Sequence, residues 1–392
     1  MSSTMTLRRV KVRAMQQPWI RGKVARQAHV ALPAGTVEEE YGRSGFFGGY
    51  AHAYRLHAPV GWVEIDGPLK PRAYDLRREL PPGQDDTQRA LGRTLFAENE
   101  DVRLHYVRLA ETPKFWLRNG DADELYFIHE GRGTLVTELG PLAYEPGVYL
   151  CVPRAMLARL EPSEPTEALL VESPGQVTFP DRGMLGLHAL FDPAMIEVPT
   201  PDLDAVCAAA DRAQDHPHER YEVRHLRGGE VTRVVYPFHP VDVVGWKGTT
   251  APFRLHTNDI RPVISERYHL PPSAHTTFLL RDAVVCSFLP RGLETGDPEA
   301  MRVPFFHSNA DYDELIFYSR GTFFSRGGIE PGMVTMHPAG IHHGPHPKAI
   351  DRSKGLERTD EVAIMIDTKR PLRMVHAAEA AEMPEYWKSW GG

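Results

Sequence analysis

FFHSNADYDELIFYSRG (305–321) has a near-copy earlier in the chain, FWLRNGDADELYFIHEG (115–131). Phe115 stands with Phe305, Asn119 with Asn309 and Asp121 with Asp311. Asp123-Glu124-Leu125 stands with Asp313-Glu314-Leu315, and Gly131 with Gly321. The likeness continues downstream, where YEPGVYLCVPRAMLAR follows the first copy and IEPGMVTMHPAGIHHG the second. Glu145-Pro146-Gly147 then matches Glu330-Pro331-Gly332, and Pro153 matches Pro338. Each Pro-Gly pair fits a type II turn, in which Gly supplies the positive φ. Both copies run strand, acidic loop, strand ending in Gly, hairpin, turn, strand, Pro. Two β-barrels of one ancestry are expected.

Short runs of β-branched and aromatic residues alternate with turn signals elsewhere (EALLVES, EVAIMID). This spacing reads as all-β. Helical patterns are few. PDLDAVCAAADRAQ (201–214) reads as a short helix capped near Asp202 or Asp204, and an alanine-rich stretch near the C-terminus stops at Pro384. The expected division is an N-terminal barrel in 1–200 and a C-terminal barrel with the metal site in 201–392.

The chain of 392 residues is 42% hydrophobic and 25% charged, a soluble globular composition. A net charge of −7 gives no electrostatic footprint for nucleic acid. No apolar run is long enough to span a membrane. The basic N-terminus lacks the apolar region of a secretory signal and reads as a surface arm. Cys151, Cys207 and Cys286 are far apart and form no CxxC, so neither a disulfide framework nor a cysteine zinc site is indicated, and a cytoplasmic location is the simplest. Cys151 and Cys286 lie in apolar runs and read as buried, inert thiols.

The copies differ in their histidines. His307 aligns with Leu117, His337 with Val152 and His343 with Ala158. The first half keeps Glu124 but has no imidazole at these positions. The second half carries His307, Glu314 and His343, the two-histidine, one-carboxylate set that holds non-haem Fe(II) with open coordination positions. The turn-type residues Ser308-Asn309-Ala310-Asp311 break the strand between His307 and Glu314. The two can then converge from separate strands, and a hairpin can return His343 to the same interior. The first barrel is expected to keep the scaffold, with its mouth filled by Leu117 and Ala158. A histidine-rich loop such as HPAGIHHGPHP (337–347) can also be merely solvated. Here the histidines fall at repeat positions, which favours a metal. His342 and His346 are left as surface residues. A closed zinc site would want a fourth protein ligand, so an open catalytic site is expected.

Glu314-x6-Gly321 and Pro331-Gly332-x10-His343 resemble the two cupin motifs. VDVVGWKGTTAPFRLHTNDIRP (241–262), YHLPPSAHTTF (268–278), the 307–314 and 337–347 segments and GRSGFFGGYAHAYRLHAPVGW (42–62) further resemble homogentisate 1,2-dioxygenase in its shorter bacterial form. The likeness spans most of the chain and implies a bicupin, two jelly-roll barrels with short helices. It places the family's iron ligands on His307, Glu314 and His343. It places a substrate-hydroxyl base on His269 and a further pocket histidine on His337. It also implies Fe(II), a small aromatic substrate, O2 and a homo-oligomer. One departure is Phe323, where longer members have a tyrosine that helps hold the substrate carboxylate. Arg320 and Arg326 are near it in sequence.

The expected reaction is extradiol-type cleavage of homogentisate by O2 to maleylacetoacetate, with His269 taking the proton of the ring hydroxyl. A dioxygenase for gentisate or another substituted hydroquinone, or a non-enzymatic bicupin binding protein, are the alternatives.

Overall fold

A computed structural model describes residues 19–25, 31–216, 218–302, 305–353 and 355–390. The expected basic arm falls largely outside them.

The repeat segments each build the centre of one barrel. In the first, strands Asp123–Glu130, Val148–Val152 and Thr166–Ser173 lie side by side in a seven-stranded sheet. It faces a six-stranded sheet containing Trp116–Asn119 and Leu157–Pro162. In the second, strands Asp313–Arg320, Met333–His337 and Val362–Thr368 form the matching centre of another six-stranded sheet. Both Pro-Gly turns have the expected form, with Gly147 at φ +92° and Gly332 at φ +83°. The expected helix runs Leu203–Asp215, and the Asp202 side chain caps it by accepting from the Ala205 amide. The alanine-rich C-terminal stretch forms one helical turn, His376–Glu379.

Strand alternation makes each central strand two-faced. In Asp313–Arg320, Glu314, Ile316 and Tyr318 point into their own barrel. Leu315 and Phe317 instead join a core shared with the first barrel. In Asp123–Glu130, Glu124 and Tyr126 point inward, while Leu125 and Phe127 meet the same shared core. There Phe127 packs on Phe317 with ring centroids 6.4 Å apart, and Tyr149 on Phe278 at 5.0 Å. The Tyr149 hydroxyl pairs with Ser287 Oγ at 2.8 Å, and His129 Nδ1 with Ser319 Oγ at 3.0 Å. A one-residue slip would exchange the two faces, burying Glu314 between the barrels and aiming Leu315 into the site.

The strands do not sort at residue 200. Tyr221–Arg227 pairs with Trp116–Asn119, and Phe253–His256 with Val148–Val152, both in the first barrel. Arg72–Asp75 pairs with Met333–His337, and Val37–Gly42 runs parallel to Phe306–Asn309, both in the second. Each repeat core leaves unpaired sheet edges, and strands from the other half of the sequence cover them.

Candidate metal centre and cavity

His307 sits on Phe306–Asn309, one of three strands in a sheet completed by the hairpin Val37–Gly42 and Tyr50–Arg55. His343 faces it as a backbone bridge, with amide-to-carbonyl bonds of 2.9 Å in both directions. Glu314 comes from the opposite sheet. Ligand atoms of His307, Glu314 and His343 all lie within 4.8 Å of one another, and all three residues are buried. The same register recurs in the first barrel. Leu117 faces Ala158 as His307 faces His343, and Glu124 pairs with Val152 as Glu314 pairs with His337.

The imidazoles are oriented by their other nitrogen. His307 Nδ1 lies 3.1 Å from the Phe305 carbonyl, and His343 Nδ1 2.9 Å from that of Ile341. Each Nδ1 therefore carries the proton and donates it, leaving an Nε2 lone pair free. Both Nε2 atoms are buried and make no hydrogen bond. A buried acceptor without a partner is costly. Two of them converging on a carboxylate are what a divalent cation satisfies. Burial keeps His307 neutral, with its pKa pushed down to about 3. Burial also penalises the Glu314 carboxylate, but His343 and His337 overcome this and hold it well below the usual range. The pKa of Asp367, its cross-strand neighbour, is pushed well up by burial and by the Glu314 charge. The donor set is two imidazole nitrogens and one carboxylate.

His337 lies behind this set. Its Nδ1 is 2.6 Å from Glu314 Oε1, and its ring stacks on His343 at 4.7 Å. It does not line the adjoining cavity, whereas His269 does. His269 Nδ1 is 3.1 Å from Glu294 Oε1, so a buried carboxylate fixes that ring with Nε2 free. The cavity opens to solvent, and the space of about 700 Å³ there includes part of that opening. Its walls include Leu270, Phe288, Ile316 and Phe324, with Arg291, Arg302 and Arg326 among them and His307 and Glu314 at the base.

Phe323 is not part of the wall. It is buried against Tyr318, ring centroids 4.8 Å apart, in the barrel's apolar core. Arg326 does point inward, held by Tyr318 Oη at 3.0 Å and by the Gly344 carbonyl, while Arg320 is exposed. The two histidines taken as surface residues are engaged. His342 Nε2 pairs with the fully buried Glu39, and His346 is buried. Glu39 lies on the N-terminal strand, remote in sequence, so no local pattern announces that contact.

In the first barrel an arginine supplies the positive charge that a metal ion would bring. Arg93 donates to Glu124 Oε1 at 2.8 Å and Oε2 at 2.9 Å, and its guanidinium lies 3.6 Å from Glu172 Oε1. Asn119 and the Tyr126 hydroxyl also donate to Glu124, at 2.9 and 2.8 Å. Leu117 and Ala158 are buried as expected, but they only wall the space above. Arg93 lies on Arg93–Glu98, outside the repeat, which is why comparing the copies does not find it.

Residues 96–257 match the family model for the homogentisate 1,2-dioxygenase N-terminal region. A Saccharolobus solfataricus protein, provisionally described as a dioxygenase, is 30% identical over 90% of this chain and 92% of its own length. The homogentisate 1,2-dioxygenase of Bradyrhizobium diazoefficiens is 27% identical over 70% of this chain, and the match spans 62% of that enzyme. Among solved structures, a cupin 2 conserved barrel domain protein from Leptotrichia buccalis is 9% identical, with a TM-score of 0.30 over 71% of this chain and 89% of its own. With nine-tenths of its length aligned to a dioxygenase relative and its first barrel matching the family's N-terminal model, the chain belongs to the homogentisate 1,2-dioxygenase family of ring-cleaving enzymes.

Proposed function

We propose that this protein cleaves the ring of homogentisate with O2, to maleylacetoacetate, using Fe(II) held by His307, Glu314 and His343. The observation that carries the reading is the pair of buried, unpartnered Nε2 atoms aimed with Glu314 at one point beside a cavity. Iron bound there would supply the one-electron chemistry by which O2 reacts with a closed-shell ring.

The chain's own residues do the rest. The apolar walls at Phe288, Ile316 and Phe324 exclude water and hold the ring flat. His269 Nε2 takes the proton of the ring hydroxyl, and Glu294 at Nδ1 steadies the imidazolium that results. His337 is a positioning residue that fixes the Glu314 carboxylate from behind. The three cysteines are free, which fits a reducing cytoplasm. Homo-oligomeric assembly belongs to the same reading and is checked by sedimentation.

The test is oxygen uptake and ring-opened product from Fe(II)-loaded protein given homogentisate. Parallel runs with gentisate separate the two ring substituents. Bound iron with no uptake from any hydroquinone would leave a binding protein.

A further inference from the structure

Behind the candidate metal centre, on the side away from the cavity, the chain's last described residues close over His337. One nitrogen of His337 serves the centre, with Nδ1 2.6 Å from Glu314 Oε1. The other, Nε2, is buried and makes no hydrogen bond among the described residues. The short helical turn Tyr386–Trp390 packs against this ring. Trp390 is fully buried, its ring 5.5 Å from that of His337 and 6.0 Å from that of Tyr386. The Trp390 indole is near enough to the Tyr386 hydroxyl to act on it. Yet Trp390 Nε1 and Tyr386 Oη are also buried without hydrogen-bonding geometry to any described group. Trp62 clamps the turn, stacking on Trp390 at 5.9 Å and donating its own N–H to the Trp387 carbonyl at 3.1 Å. Three buried polar atoms thus gather at one place with no protein partner, which is costly for each. A single buried water typically makes about three hydrogen bonds to such groups. The donor chemistry matches: an indole N–H only donates, a hydroxyl can donate, and a neutral ring that gives away its Nδ1–H accepts at Nε2.

We propose that Tyr386 and Trp390 hold one buried water against His337 Nε2, and so fix the ring that fixes Glu314. The water accepts from the indole and the hydroxyl and donates to the imidazole. Both are positioning residues, since neither lines the cavity and both act through His337. The proposal rests on the reading that His307, Glu314 and His343 hold a metal ion. The C-terminal turn then belongs to the metal centre, although it is remote in sequence from every ligand. The first barrel has Val152 in the place of His337, and its Glu124 is held by Arg93, so it needs no such support. Outer partners of this kind orient metal ligands and raise metal affinity.

The test is the rate at which Fe(II) leaves the anaerobically loaded protein for a chelator, with the visible bands of the Co(II)-loaded protein as a second readout. Trp390→Phe and Tyr386→Phe each keep a ring and remove one donor. Each is expected to release iron about tenfold faster, the low end of what outer partners of metal ligands contribute, and to shift the Co(II) bands. Trp62→Phe removes an indole N–H from the same clamp, one already bonded to the Trp387 carbonyl, and should release iron at the parent rate. His337→Asn keeps a donor for Glu314 but has no Nε2, so in that background Trp390→Phe should add nothing. Parent release rates in both single variants, an equal acceleration by Trp62→Phe, or an undiminished effect of Trp390→Phe beside His337→Asn overturns the proposal. So does a crystal structure of the iron-loaded protein without a water bonded to all three atoms. No iron bound by the parent protein would remove the metal reading and this proposal together. The expected release rates without oxygen uptake from homogentisate would keep the positioning role and remove only the proposed reaction.

Discussion

Replacing Glu124 by Leu in the first barrel tests whether an internal cation has taken over the metal's place there. Arg93 is 3% exposed, and the substitution strips it of two charge-assisted hydrogen bonds. Asn119 and Tyr126 each lose one partner as well. Removing one member of a buried ion pair costs about 3–5 kcal/mol. Glu172, 3.6 Å from Arg93, retains part of the attraction, so the low end, about 3 kcal/mol, is expected. An unfolding entropy of about 2.1 cal/mol/K per residue gives roughly 0.8 kcal/mol/K for the whole chain, and thus a fall in Tm of about 4 °C. Calorimetric melting is followed alongside iron content and turnover at 25 °C, both of which should be unchanged, because Glu124 belongs to the other barrel. The double variant Arg93→Met/Glu124→Leu removes both charges and should recover most of the lost stability. Loss of iron or turnover in Glu124→Leu at an unchanged Tm would refute the reasoning. So would a double variant no more stable than the single one.

Three further expectations concern the second barrel and the fold. His307→Ala, Glu314→Ala and His343→Ala should each lose bound iron, measured by elemental analysis, along with turnover; full iron occupancy in all three would remove the ligand assignment. His269→Gln should lower kcat by about 10²–10⁴-fold with iron retained, and Glu294→Gln should lower it by less, since the base stays but its support goes; unchanged kcat in both variants would take His269 out of the chemistry. Stability should fall steadily on acidification. Burial depresses the pKa of His129 and, far more, of His275. Both are neutral in the folded chain while the unfolded chain binds protons below about pH 6.5. Their contribution is therefore complete above that pH and lost below it, by up to about 1.4 kcal/mol per pH unit for each group. Burial pushes Glu172 up, but His105 and Arg93 overcome it and bring it down to about 2, so its contribution is present above the usual carboxylate range and lost toward that value. Metal-free melts from pH 7.5 to 4 that showed a flat or rising Tm would contradict this.

The repeat made the architecture legible because its residues carry the constraint locally. The Pro-Gly turns need positive φ, and the paired strands alternate between barrel interior and shared core. The three-residue cluster was legible for a similar reason. His307 and His343 stand where the other copy has Leu117 and Ala158, and a register shared by both barrels turns those sequence positions into facing neighbours. Three features had no local signal. Arg93 reaches Glu124 from a strand before the repeat, Glu39 reaches His342 from the N-terminal hairpin, and the inward direction of Arg326 depends on Gly344 and Tyr318 together. Each depends on which strand covers a sheet edge, a non-local choice made by the folded chain. Glu124 shows the converse hazard. The same motif carboxylate that faces two imidazoles in one barrel faces an arginine in the other.

The most direct measurement is oxygen consumption by anaerobically Fe(II)-loaded protein on addition of homogentisate, with product absorbance recorded in parallel. One O2 consumed per ring opened, abolished in His343→Ala, is the predicted result. Bound iron without oxygen uptake from homogentisate would contradict the proposed reaction.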